Sequence, residues 1–149
     1  MLTWIIIAAA IVIIDQIAKL LVIANISPTD CFHIIPGLFD FVYVKNTGAA
    51  FSILSGNTGL LSIISVLFCV GMGIFWYIKK PQNKLFCTAL TLLFAGALGN
   101  AIDRIIRGFV VDFISTAFMT FPVFNIADIA ITFGAVLLFV YILLFDKDE

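Results

Sequence analysis

The chain has 149 residues, 63% of them hydrophobic and only 11% charged, with a net charge of -1 and a mean hydropathy of +1.22. Soluble domains carry roughly 25% charged residues, so this composition excludes a water-soluble globule and indicates an integral membrane protein. The charge balance and the lack of any basic run give no sign of a nucleic-acid partner, and the length suits a single domain over residues 1–149.

Four apolar runs are long enough to cross a bilayer core of about 30 Å, which takes roughly 20 helical residues. The first spans 2–24. Its start, "MLTWIIIAAAIVII", could pass for a signal peptide, but it lacks a basic leader and continues through Asp15, so it reads as an uncleaved span. An outer connection over 25–57 follows. In it Phe39, Phe41 and Tyr43 alternate with Asp40, Val42 and Val44, which predicts a short β-strand. "NTG" then marks a turn at Asn46–Gly48. A connection this long with its own strands is often functional.

The second span, 58–78, carries no charge, and the third covers 85–106 with an uncharged stretch to Ile102. Between them "KKPQNK" holds Lys79, Lys80 and Lys84, and Lys147 lies in the tail. The positive-inside rule makes this side cytoplasmic, so both termini are expected there, with Trp4, Trp76 and Tyr77 at the inner interface. A second outer connection, 107–123, leads to the fourth span at 124–145. The fold class is therefore an all-α membrane protein of four transmembrane helices, N-in/C-in. Cys69 and Cys87 read as small hydrophobic filler within the spans, and Cys31 as a free thiol.

The few charges are not scattered. At about 1.5 Å per helical residue, Asp15 and Lys19 lie about 20 and 26 Å above the inner end of the first span. Asn100 lies about 22 Å along the third, with Asp103 and Arg104 just beyond, and Asp128 about 26 Å up the fourth. One outer layer thus collects the ionisable groups, at a cost of about 2.5–3.5 kcal/mol each at a helix centre and less near the interface. Asp15 with Lys19, and Asp103 with Arg104, read as structural pairs. Gly96 shares a stripe with Asn100, among small residues that permit close helix approach. Asp112 and Asp128 lack an i,i±4 basic partner and sit at the water boundary, which makes them the candidates for chemistry.

No HExxH, GxSxG or GxxxxGK[ST] occurs, His33 is the only histidine, and Lys19, Arg104 and Arg107 oppose a metal held by aspartates alone. No cofactor or metal is expected. Two neighbouring carboxylates share a proton, so that one can activate water while the other donates to a carbonyl oxygen. That is aspartic peptidase chemistry, although the same pair also suits a proton-coupled carrier.

Five blocks resemble bacterial lipoprotein signal peptidase, the type II signal peptidase, in order and over nearly the whole chain. They are "DQIAK" at Asp15–Lys19, "NTGAAFS" at Asn46–Ser52, "GALGNAIDR" at Gly96–Arg104, "VVDF" at Val110–Phe113 and "FNIAD" at Phe124–Asp128. The resemblance implies a membrane aspartyl endopeptidase of the bacterial cytoplasmic membrane. It would cleave diacylglyceryl-modified prolipoproteins immediately before the lipid-bearing cysteine; its expected partners are these substrates and membrane lipids, and its expected state is a monomer. It implies Asp112 and Asp128 as the catalytic pair. Asp15, Lys19, Asn46, Gly48, Gly96, Asn100, Asp103, Arg104 and Asn125 would bind substrate or support the site, and the outer connection would form a small extracytoplasmic β-cradle. Ala95 and Ile129 depart from the family's more common Gly and Ser, and "ISTAFMTFPV" is less typical of it.

Overall fold

The apolar runs fold as four helices. In the computed structural model, which describes residues 1–48 and 56–145, α1 is Leu2–Asn25, α2 is Thr58–Lys79, α3 is Lys84–Arg107 and α4 is Ile126–Phe145. All four are long and apolar enough to cross a membrane, and their ends fall within two residues of those predicted. Ala49–Ser52 of the second sequence block and Lys147 lie outside the described residues.

The bundle is built around α3, which packs against α1, α2 and α4. Its composition explains this. Ala89, Ala95, Gly96, Gly99 and Ala101 are all buried, and small side chains let helix backbones approach closely where lipid supplies no hydrophobic drive between helices. At the crossing with α4, a Cβ on Gly96 would stand 2.6 Å from Ile131 Cγ1 and closer still to the Ala127 carbonyl oxygen. A Cβ on Gly134 would stand 2.9 Å from the Leu93 nitrogen. The large apolar side chains point the other way: Ile5, Ile13, Leu67, Phe133 and Phe139 are among many left exposed on the helix surfaces. A membrane protein turns such groups toward lipid.

The ends of the helices are set by local chemistry. Asn83 Oδ1 accepts from the Phe86 amide at 3.1 Å and caps α3, whose other end stops at Gly108 with φ 77°. Trp4 and Trp76 meet with ring centroids 6.5 Å apart, so the start of α1 and the end of α2 lie on the same side of the bundle.

At the opposite end sits a three-stranded antiparallel sheet, ordered β1 (Phe32–Ile35), β2 (Phe39–Asn46), β3 (Val110–Thr116). Pro36 and Gly37 make the turn between the first two. Proline presets φ at the second position, Gly37 takes φ 76° at the third, and the Leu38 amide donates to the Ile35 carbonyl at 2.9 Å. The predicted strand at Phe39–Val44 is present within β2. β3 was not foreseen, and the expected 107–123 connection is strand over much of its length. Val110, Val111, Asp112 and Phe113 are all buried, so the strand lacks the apolar–polar alternation that marks a half-exposed strand. Val111 and Phe113 pack with Val22 of α1 in a core flanked by Phe41, Tyr43 and Ile126. Phe124 bridges to Ile114 on the far edge of β3, which ties the strand to the residues just before α4.

Gly96→Ala is expected to destabilise the detergent-solubilised protein by about 1–3 kcal/mol through overpacking at the α3–α4 crossing. Gly71→Ala on α2, where a Cβ meets nothing within 4 Å, is expected to change stability by less than about 0.5 kcal/mol. Thermal unfolding of the two variants side by side checks the contrast.

Candidate active site

Lys19 lies at the centre of the polar layer. Its ammonium contacts Asp15 Oδ2 at 2.9 Å and Asp103 Oδ2 at 3.0 Å, and all three side chains have no solvent exposure. Asp103 also pairs with Arg107, and its Oδ2 accepts from the Val111 amide at 3.0 Å. Asp15 Oδ1 accepts from the Ala127 amide at 3.0 Å, in the first turn of α4. Gln16 adds bonds to the Gly99 carbonyl and to Asp103. These contacts join α1, α3, β3 and α4 at the sheet end of the bundle.

The expected Asp103–Arg104 pair does not form. Adjacent residues on a helix point in different directions, and Asp103 turns to α1 while Arg104 turns to the loop after β2. There Arg104 Nη2 donates to the Gly48 carbonyl at 3.2 Å.

Asp112 and Asp128 are held differently. Asn46 Nδ2 donates to Asp112 Oδ2 at 2.8 Å, and Asn125 Nδ2 donates to Asp112 Oδ1 at 2.7 Å. Asn100 Nδ2 donates to Asp128 Oδ1 at 2.8 Å, and the Asn125 backbone amide donates to Asp128 Oδ2 at 3.2 Å. Every carboxylate oxygen therefore has one neutral amide donor, and among the described residues neither aspartate makes an ion pair. Asn125 touches both and brings them together.

Each amide has a reason for its orientation. Asn46 Oδ1 is taken by the Gly48 amide at 2.9 Å, a local turn that leaves its NH2 facing Asp112. Asn100 Oδ1 accepts from Lys19 at 2.9 Å, and an ammonium can only donate, so the Asn100 NH2 faces Asp128. Asn125 Oδ1 accepts from the Asp128 amide at 2.9 Å while Asp128 accepts from the Asn125 amide, a reciprocal cap on the start of α4. The fourth helix thus begins after Asn125, two residues later than predicted.

Asp112 is only 2% exposed, deeper than the water boundary expected for it. Burial and the Asp128 charge push its carboxyl up to about 6, against the pull of Asn46, Asn125 and Lys19. A carboxyl of this kind can hold a proton near neutral pH beside an ionised partner.

The sequence model for Signal peptidase (SPase) II matches residues 7–144. The chain belongs to the signal peptidase II family. A lipoprotein signal peptidase of Latilactobacillus sakei subsp. sakei is 39% identical, covering 99% of this chain and 97% of its own. One of Staphylococcus aureus is 42% identical over 95% of this chain and 88% of its own. A solved bacterial membrane enzyme superposes with a TM-score of 0.90 at 39% identity, over 99% of this chain and 92% of that one.

The signal peptidase II residues named from the sequence converge on one end of the bundle. Asp15, Lys19 and Asp103 form the buried ion cluster, and Asn46, Asn100 and Asn125 hold the two carboxylates. Gly48 orients Asn46 and anchors Arg104, and Gly96 lets α4 approach α3. Gln16 and Arg107 also belong to this network and were not singled out as site residues. Their spacing could have indicated it, since Arg107 stands four residues after Asp103.

Lys19→Met is expected to cost about 3–5 kcal/mol, because it strands Asp15 as an uncompensated buried charge and leaves Asp103 with Arg107 alone. The unfolding midpoint in detergent would fall accordingly, and an unchanged midpoint would contradict the central role of the ammonium.

Proposed function

We propose that this chain is an aspartic endopeptidase that removes the signal peptide from diacylglyceryl-modified prolipoproteins, cutting immediately before the lipid-bearing cysteine. Asp112 and Asp128 form the catalytic pair. The observation that carries this reading is the amide-held, unpaired state of the two carboxylates beside a fully ion-paired cluster of the same residue type. Membership of the signal peptidase II family and relatives named lipoprotein signal peptidase support the substrate class.

The chemistry follows from one shared proton. The ionised carboxylate takes a proton from water as the oxygen attacks the scissile carbonyl, and the protonated carboxyl donates to the carbonyl oxygen. The resulting tetrahedral diol collapses when a carboxyl protonates the leaving amine and the other, ionised carboxylate takes a proton from a diol hydroxyl, which re-forms the carbonyl and breaks the C–N bond. The sequence of transfers returns the pair to its single-proton state, and it requires no cofactor. Asn46, Asn100 and Asn125 hold the oxygens without neutralising them, so the carboxylates stay basic enough to act.

The substrate's lipid keeps its cysteine at the membrane surface, which suits a site at the sheet end of the bundle. Residues 1–149 act as one domain and as a monomer in the bacterial cytoplasmic membrane. Lys79, Lys80 and Lys84 favour cytoplasmic termini and an active site near the outer face. A proton-coupled carrier using the same carboxylates gains no support: the buried charged side chains among the described residues form one layer, and α2 carries no charge before Lys79.

Asp112→Asn and Asp128→Asn are each expected to lower cleavage of a diacylglyceryl prolipoprotein by on the order of 10³-fold or more while the protein still folds and inserts. Substantial cleavage by either variant would rule out the pair. A pH profile offers an independent check. Asp112 keeps its proton below about 6 and loses it above, so kcat/KM is expected to decline as pH rises past that value. Bound substrate excludes water and favours the neutral carboxyl, so kcat should decline at a higher pH than kcat/KM. A flat kcat/KM between about pH 5 and 8 would contradict the shared proton.

A further inference from the structure

A second group of reactive side chains lies away from the carboxylate pair, on the β1–β2 hairpin. His33 stands directly opposite Asp40 in the strand register, and Cys31 lies immediately before β1, two residues ahead of His33. One ligand atom from each of the three lies within 4.8 Å of the others. His33 Nδ1 is 2.7 Å from Asp40 Oδ1, and Cys31 and His33 are exposed. We propose that Cys31, His33 and Asp40 bind one zinc ion on the open face of this hairpin, with the fourth position left to water.

The chemistry of the three groups favours this ion. A thiolate and a carboxylate together cancel the charge of Zn2+, and imidazole supplies the neutral nitrogen common in its sites. Ligands at zinc bond lengths in a tetrahedron stand about 3.3–3.8 Å apart. The three atoms therefore need only side-chain adjustment, and the His33–Asp40 contact would open by roughly 0.6 Å. A thiol nucleophile is the competing use of such a trio, and the surroundings oppose it. An activated cysteine needs a cationic neighbour, and Cys31 has the Asp40 carboxylate beside it instead. A metal ion supplies that missing positive charge itself and displaces the thiol proton on binding.

The site stands independently of the peptidase assignment, and its test uses zinc alone. Full-length protein in detergent, stripped of divalent ions, is titrated with Zn2+ by calorimetry and with Co2+ by absorption. The expected result is one ion per chain and a thiolate-to-cobalt charge-transfer band. Cys31→Ser and His33→Ala should each weaken binding by about tenfold or more, and Cys31→Ser should abolish the band, while Cys69→Ala changes neither. Absence of saturable binding, or binding that survives both Cys31→Ser and His33→Ala, would overturn the proposal. Should those variants fail to fold, maleimide labelling of Cys31 in the unaltered protein decides: zinc protects it if the site exists, and leaves its labelling rate unchanged if it does not.

Discussion

The buried ammonium of Lys19 is the constraint from which the rest of the site is assembled. Removing an ion from water costs several kcal/mol even after relaxation, so a fully buried lysine is tolerated only when its partners are all in position. Here they come from two helices. Asp15 lies one turn below on α1, and Asp103 and Asn100 reach across from α3. Satisfying all three at once fixes the register of α1 against α3. Asp15 then spends its other oxygen on the first turn of α4, and Asp103 bonds the backbone of β3. A single cation thereby sets the relation between α1, α3, β3 and α4.

Two kinds of aspartate emerge from this arrangement. Asp15 and Asp103 are neutralised by Lys19 and Arg107, whereas among the described residues Asp112 and Asp128 receive only neutral amide donors. A cation at hydrogen-bond distance would hold a carboxylate permanently ionised and weakly basic. An amide fixes its position with a smaller effect on its charge. Buried ion clusters often contribute little net stability compared with apolar packing, so stability alone does not account for Lys19. Its orientation of the Asn100 amide does: reverse that amide and its oxygen would face Asp128. The ion cluster and the proposed catalytic pair are distinct in electrostatics yet joined through one side chain.

The four spans were legible in the sequence because lipid demands about 20 apolar residues and little else does. The single polar layer was legible from helix rise, and the five motif blocks pointed to the family. What could not be read depended on tertiary direction. Asp103 is followed by two basic residues, Arg104 and Arg107, and only the packing of α1 decides that it faces Lys19 and Arg107 rather than Arg104. β3 hides because burial on both faces erases strand alternation. One missed feature did carry a local signal: "NIAD" spaces Asn125 and Asp128 three apart, the pattern of a reciprocal helix cap. The meeting of Cys31, His33 and Asp40 required the hairpin register, which a one-residue shift would have destroyed.

Holding Asp112 on a strand instead of a helix has a mechanical consequence. Helices in a bilayer tilt and slide in response to membrane thickness, and two carboxylates on separate helices would drift apart as they did so. In this fold Phe124 pairs with Ile114 of β3 immediately before Asn125, and Asn125 both caps α4 and bonds Asp112. The start of α4 and the strand carrying Asp112 are therefore linked by backbone hydrogen bonds and by one side chain. A displacement of α4 carries β3 with it. The spacing of the pair is set by this short linkage, and the longer segment joining β3 to Phe124 is free to vary in sequence without changing it.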